Sequence, residues 1–196
     1  MHRLIPRVSY THLLLAAAVS FVMVASASAA VLHYTASFSG AAESPPNASP
    51  GFGNAEITID TGLNTMRVQA FFTNLLGNTT ACHIHAPTAV ALTGTAGVAT
   101  MTPAFTGFPL GVTTGSEDHT FDLTLVASFN GPFVTANGGT AAGAEAALLA
   151  AIAAGKAYFN VHSSSVGSGE VRGFLQAFDP TPTAKTTWGR VKSLYR

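Results

Sequence analysis

Alternation of apolar and polar positions dominates the chain and predicts strands. Val31 to Ser39 reads as a first strand, and the Pro45-Pro46 pair ends the segment after it, because proline cannot donate to a ladder. Glu56-Ile57-Thr58-Ile59-Asp60 alternates strictly, and Thr61-Gly62 then turns the chain into Met66 to Phe72, a hairpin pattern. Asn74 to Thr80 reads as a polar loop. Cys82 to His85 is a short strand, and His119 to Ser128 a longer one with Phe121, Leu123 and Leu125 on one face. Ala141 to Ala154 is rich in strong helix formers and stops at Gly155. Ala157 to His162 and Glu170 to Phe178 close the sheet. The expected fold class is all-β with one short inserted helix: an antiparallel Greek-key sandwich or barrel.

The two ends of the chain depart from this pattern. Arg3 and Arg7 precede an apolar run from Leu13 to Ala25, and Ala27-Ser28-Ala29 has the small-residue form of a cleavage site. Residues 1–29 are therefore expected to be a signal peptide, and the protein to be exported: periplasmic, at the cell surface or extracellular. Residues 31–179 form the expected β domain. Pro180-Thr181-Pro182-Thr183 begins a stiff linker, after which Trp188, Val191, Leu194 and Tyr195 fall at helical spacing among Arg190, Lys192 and Arg196. This tail, 180–196, is expected to be a separate element able to contact an anionic surface.

Composition narrows the function classes. All nine acidic residues lie between Val31 and Asp179, against only Arg67, Lys156 and Arg172 in the same span, so the body is mildly acidic and unsuited to nucleic acid. The single cysteine, Cys82, rules out an intrachain disulfide and leaves the core to hold the fold. No apolar run after the N-terminal segment has the length of a spanning helix. Neither a G-x-S-x-G elbow nor a P-loop occurs, which removes the usual serine-hydrolase and nucleotide-binding signatures.

The histidines carry the candidate chemistry. His83 and His85 are two apart, so on a strand both imidazoles leave one face with Cα atoms about 6.6 Å apart. Cys82 and Ile84 point the other way. His162 shares a face of its own strand with Tyr158 and Asn160, and three neutral imidazoles from two strands would suit copper or zinc. His119 follows Glu117-Asp118 at a strand start and reads as exposed, although it is the natural candidate for a fourth ligand; His33 is assigned no role. Glu170 and Arg172, neighbours on one strand, are read as structural, forming an ion pair or binding loop backbone, with Glu43 doing the same before its Pro-Pro turn, rather than the two glutamates forming an acid/base pair.

Three segments resemble a known family. Phe38-Ser39-Gly40-Ala41-Ala42-Glu43-Ser44-Pro45-Pro46, then Ala81-Cys82-His83-Ile84-His85-Ala86-Pro87, then Gly155 to His162 running into Gly169-Glu170-Val171-Arg172-Gly173-Phe174-Leu175, together resemble the CHRD (chordin-type) domain, in the family's order. That resemblance implies a β domain of an exported protein, a bacterial member, and fixes the fold better than the activity. The histidine arrangement is also similar to the copper half of the Cu,Zn superoxide dismutase barrel, where an H-x-H strand and a later Val-His segment supply ligands; His83, His85 and His162 match those positions. The bridging histidine, the zinc set, the disulfide and the channel arginine of that enzyme have no counterpart here, so dismutation is not implied. Two readings follow. One is a binding or structural module with an unidentified protein or surface partner; the other is a mononuclear copper or zinc protein with a storage or redox role.

Overall fold

The computed structural model describes residues 29–180. The expected signal peptide, apart from Ala29, and the expected tail beyond Pro180 lie outside the described residues.

Eight antiparallel strands form one curled sheet: β1 (Val31–Ser39), β2 (Phe52–Asp60), β3 (Thr65–Thr73), β4 (Thr79–His85), β5 (Gly115–Asp122), β6 (Tyr158–Ser163), β7 (Val171–Phe174) and β8 (Gln176–Ala177). Their spatial order is β4-β6-β7-β1-β2-β3-β5, with β8 paired to β1. The chain therefore runs as a meander through β1, β2 and β3, and a short connection, residues 74–78, then carries it to β4 at the other end of the strand order; the long connection is the one from β4 to β5. The expected hairpin is present with Ile57 opposite Val68 and Ile59 opposite Met66. These four side chains are essentially excluded from solvent and form one face of the core.

The curl is completed by the segment between β4 and β5. Ala104 bridges to Cys82 and Val98 to His85. Thr79 donates its N–H to Val112, and Leu75 donates to Thr113. Phe105 from this segment lies 5.2 Å from Phe121 on β5 and 5.9 Å from Phe159 on β6, ring centre to ring centre. The two edge strands are thus joined through side chains and loop backbone, which shields edges that would otherwise be open to pairing.

Two helices cover the β8 side. Helix α1 (Gly131–Ala136) was not expected from the sequence; α2 (Ala141–Ala153) was, and it begins where the Thr140 hydroxyl accepts the Gly143 N–H at 3.1 Å. It buries Ala144, Leu148, Ala151 and Ile152, one stripe at helical spacing, and ends before Gly155 at φ 67°.

Two expected strands are corrected. The strand placed at His119 to Ser128 instead spans Gly115–Asp122 and stops there. The Asp122 carboxylate accepts both the N–H and the hydroxyl of Thr124, at 2.8 and 2.6 Å. This local turn competes with the ladder, and Leu125 ends up exposed rather than in line with Phe121. The strand placed at Glu170 to Phe178 is divided into β7 and β8, because Leu175 leaves the ladder to donate its N–H to Ala157 and bury its side chain.

Candidate metal centre

The site lies on the outer face of the β4–β6–β7 end of the sheet. Along β4, Cys82 and Ile84 enter the core while His83 and His85 leave the opposite face, as the period of two requires. On β6, Phe159 and Val161 are core residues, and Tyr158, Asn160 and His162 share the outer face. The register places His83 opposite Asn160, His85 opposite Tyr158 and Ala81 opposite His162, so His162 is the diagonal neighbour of His83. The ligand atoms of His83, His85 and His162 all lie within 4.8 Å of one another. Although they face outward from the sheet, the three are only 5, 9 and 8% exposed, because loop segments cover them.

Backbone carbonyls fix the tautomers. His85 Nδ1 is 2.9 Å from the Ala96 carbonyl, and His162 Nδ1 is 3.0 Å from that of Gly167. A carbonyl only accepts, so each Nδ1 carries the hydrogen and each Nε2 presents a lone pair. His83 Nδ1 lies 3.3 Å from His85 Nε2 and donates to it. His162 Nε2 is buried with no hydrogen-bond partner at all. A buried polar atom without a partner is costly, and three nitrogens converging on one region around it are what a metal ion would satisfy. The residues present therefore fit the metal expected from the sequence.

The electrostatics agree. Burial, reinforced by the neighbouring His162 and His85, lowers His83 to a pKa of about 3. Burial likewise lowers His85 to about 4, against the Ala96 carbonyl that favours its protonated form, with His162 and Arg172 lowering it further. Burial lowers His162 too, partly offset by the Gly167 carbonyl. All three are neutral at neutral pH, the form in which imidazole binds metals.

Around the ligands, each polar side chain is engaged. Tyr158 stacks on His85 with 4.8 Å between ring centres and 3° between planes, and its hydroxyl reaches the Ala96 carbonyl at 3.4 Å. The Arg172 guanidinium covers the other side of Tyr158 at 4.8 Å, donates to Ala42 and Gly94 carbonyls at 2.6 and 3.0 Å, and lies 3.7 Å from Glu43. Glu43 in turn accepts from Asn160 at 2.7 Å. Glu170, fully buried just before β7, accepts from the Ser49 hydroxyl and the Leu76 N–H, both at 2.5 Å, and from the Gly77 N–H at 3.3 Å. The structural role read for these residues is present with a different pairing: Arg172 meets Glu43 rather than Glu170, and Glu170 binds loop backbone and the Ser49 hydroxyl.

His119 is not the fourth ligand. It sits on β5 opposite Val68, exposed, with its ring 4.7 Å from Phe121. His33 meets Thr58 and Phe178. Cys82 is fully buried in the core, and burial, together with the charge of Glu117, holds its thiol well above the usual range, so it is inert. Sequence reasoning missed Tyr158 as the support of His85. It also missed the carbonyls of Ala96 and Gly167, which have no side-chain signature.

No curated protein and no solved structure matches the chain. Among the described residues no helix is long and apolar enough to cross a membrane. The CHRD domain family model matches residues 34–175, spanning β1 through Leu175 and with it every side chain of the histidine cluster. The chain belongs to the CHRD domain family.

Proposed function

We propose that this protein is an exported β module that holds one copper or zinc ion between His83, His85 and His162, in a storage or redox role. The observation that carries the reading is the buried, unpartnered Nε2 of His162, facing two further imidazoles whose tautomers and neutrality suit a ligand. His85 and His162 would bind through Nε2 and His83 through Nδ1, its proton passing to its own Nε2. A metal at these atoms would supply a Lewis acid or a one-electron couple. The protein's own part is to hold the rings: Ala96 and Gly167 orient two of them, and Tyr158 backs the third side of His85. Export is supported by the charged and apolar pattern of residues 1–29 and by the family.

The second reading, a binding or structural module whose histidines only complete the fold, is favoured by the hydrogen bond between His83 and His85, which needs no ion. It leaves His162 Nε2 unsatisfied. Metal content separates the two. The protein is purified without an affinity tag, offered copper and zinc, and compared with a His83→Ala/His85→Ala/His162→Ala variant whose folding is checked by circular dichroism. Near-stoichiometric metal that is lost in the variant supports the metal centre; a metal-free native protein removes it.

A further inference from the structure

The donor set, its surroundings and its coordination number select among ions. We propose that the cluster is a site for monovalent copper, Cu(I), in preference to Cu(II) or Zn(II), an inference that rests on the metal reading above.

Charge comes first. The three donors are neutral nitrogens, and no carboxylate or thiolate joins the cluster among the described residues. An ion bound there keeps its full charge in a pocket largely shut from water. The cost of burying an ion grows with the square of its charge, so a divalent ion costs roughly four times what a monovalent one does, without an anionic ligand to offset it. Glu43, bonded to Asn160 on the face that carries His162, is committed to Arg172 and Asn160. The Arg172 guanidinium, paired with Glu43, lies over the Tyr158 ring that backs His85, so the pair leaves no free carboxylate to offset a second positive charge.

Coordination number agrees. Structural Zn(II) sites close with four protein ligands, three-histidine Zn(II) sites add a water that this covered pocket has to admit, and Cu(II) favours a tetragonal set, whereas a filled-shell Cu(I) ion is content with three nitrogens in a plane. Cys82, the sole cysteine, is on the core side of β4, and His119 lies on β5 at the other edge of the sheet path, so neither can add a donor. With metal–nitrogen bonds of about 2 Å, nitrogens around a trigonal ion lie roughly 3.5 Å apart. His83 Nδ1 and His85 Nε2, at 3.3 Å, are already at a separation that one ion can span, a tetrahedral one as well as a trigonal one. His162 has only to close in from within 4.8 Å, on a strand end tied to the Gly167 turn.

The test is an affinity order measured on the unaltered chain, which does not depend on any variant folding. Cu(I) is supplied without oxygen as its acetonitrile complex against a chromophoric Cu(I) chelator; Cu(II) and Zn(II) are titrated against their own competing chelators. One equivalent of Cu(I), bound at least a hundredfold more tightly than Cu(II) or Zn(II), is expected, and His162→Ala should abolish that preference. Such a preference over Cu(II) raises the reduction potential of the bound couple by about 120 mV, at about 59 mV per tenfold. Cu(II) or Zn(II) binding as tightly as Cu(I) overturns this inference while leaving the metal centre standing. Failure of all three ions to bind overturns both.

Discussion

The rings of Tyr158 and His85 lie face to face, 4.8 Å between centres and 3° from parallel, and both reach the carbonyl of Ala96. Tyr158 touches no ligand atom; it is a positioning residue that limits how far His85 can turn. Replacing the ring should therefore matter more than removing its hydroxyl. Tyr158→Phe is expected to keep metal affinity within about threefold, whereas Tyr158→Leu should lower it about tenfold, in the range of other supporting substitutions. Competitive metal titration of the two variants checks this. An equal loss in Tyr158→Phe and Tyr158→Leu would mean that the hydroxyl, not the ring, does the positioning.

Glu117 provides a pH dependence. Its side chain points into the core from β5, one carboxylate oxygen is buried without a partner, and burial, with the charge of Asp118 adding to it, raises its pKa to about 7. A carboxyl whose folded pKa lies above its unfolded value favours the native state when protonated. Its contribution is complete below about pH 4.5 and is lost as the pH rises through about 7. Glu117→Gln should remove that loss, raising stability at pH 8 by about 2 kcal/mol and leaving stability at pH 4 nearly unchanged. Urea unfolding of both proteins at the two pH values is the measurement, and equal gains at both would contradict the assignment.

Glu170 behaves in the opposite sense. Hydrogen bonds from Ser163, Ser49, Leu76 and Gly77 outweigh its burial and lower its pKa, so its stabilisation is present above the unfolded value and lost as the pH falls through the folded one. Glu170→Ala would strip the Leu76 and Gly77 N–H groups of their acceptor and is expected to cost about 3 kcal/mol or more in chemical denaturation. A cost below about 1 kcal/mol would show that water replaces the carboxylate.

The junction of β1 and β7 is tight. A Cβ added at Gly173 would collide with the Ser37 carbonyl, which is backbone and cannot swing aside. Gly173→Ala should therefore separate β7 from β1 and lower the melting temperature by several degrees, an overpacking loss of about 1–3 kcal/mol. Gly131→Ala meets nothing within 4 Å and serves as the comparison, expected to have little effect.

Legibility in the sequence followed the range of each interaction. The hairpin of β2 and β3, the outward pair on β4 and the face shared by Tyr158, Asn160 and His162 follow from local alternation, and all three are present. The end of β5 was misplaced because Leu123 and Leu125 continue the alternation while the Asp122 carboxylate has already turned the chain. The break at Leu175 depends on a contact with Ala157, which periodicity within the strand does not encode. At the site, the ligand residues were readable as residue types. Their convergence depends on β4 pairing with β6, and their tautomers on two loop carbonyls.

Those two carbonyls leave the site unusually indifferent to side-chain identity at Ala96 and Gly167. A Cβ at Gly167 would meet nothing within 4 Å, so residues other than glycine fit there without disturbing the group that holds His162. A scan by single substitutions would pass over both positions as neutral. Chains whose covering loops share no side chains with this one could hold the same three imidazoles in the same tautomers, provided that the turn after β6 and the loop after β4 keep their course.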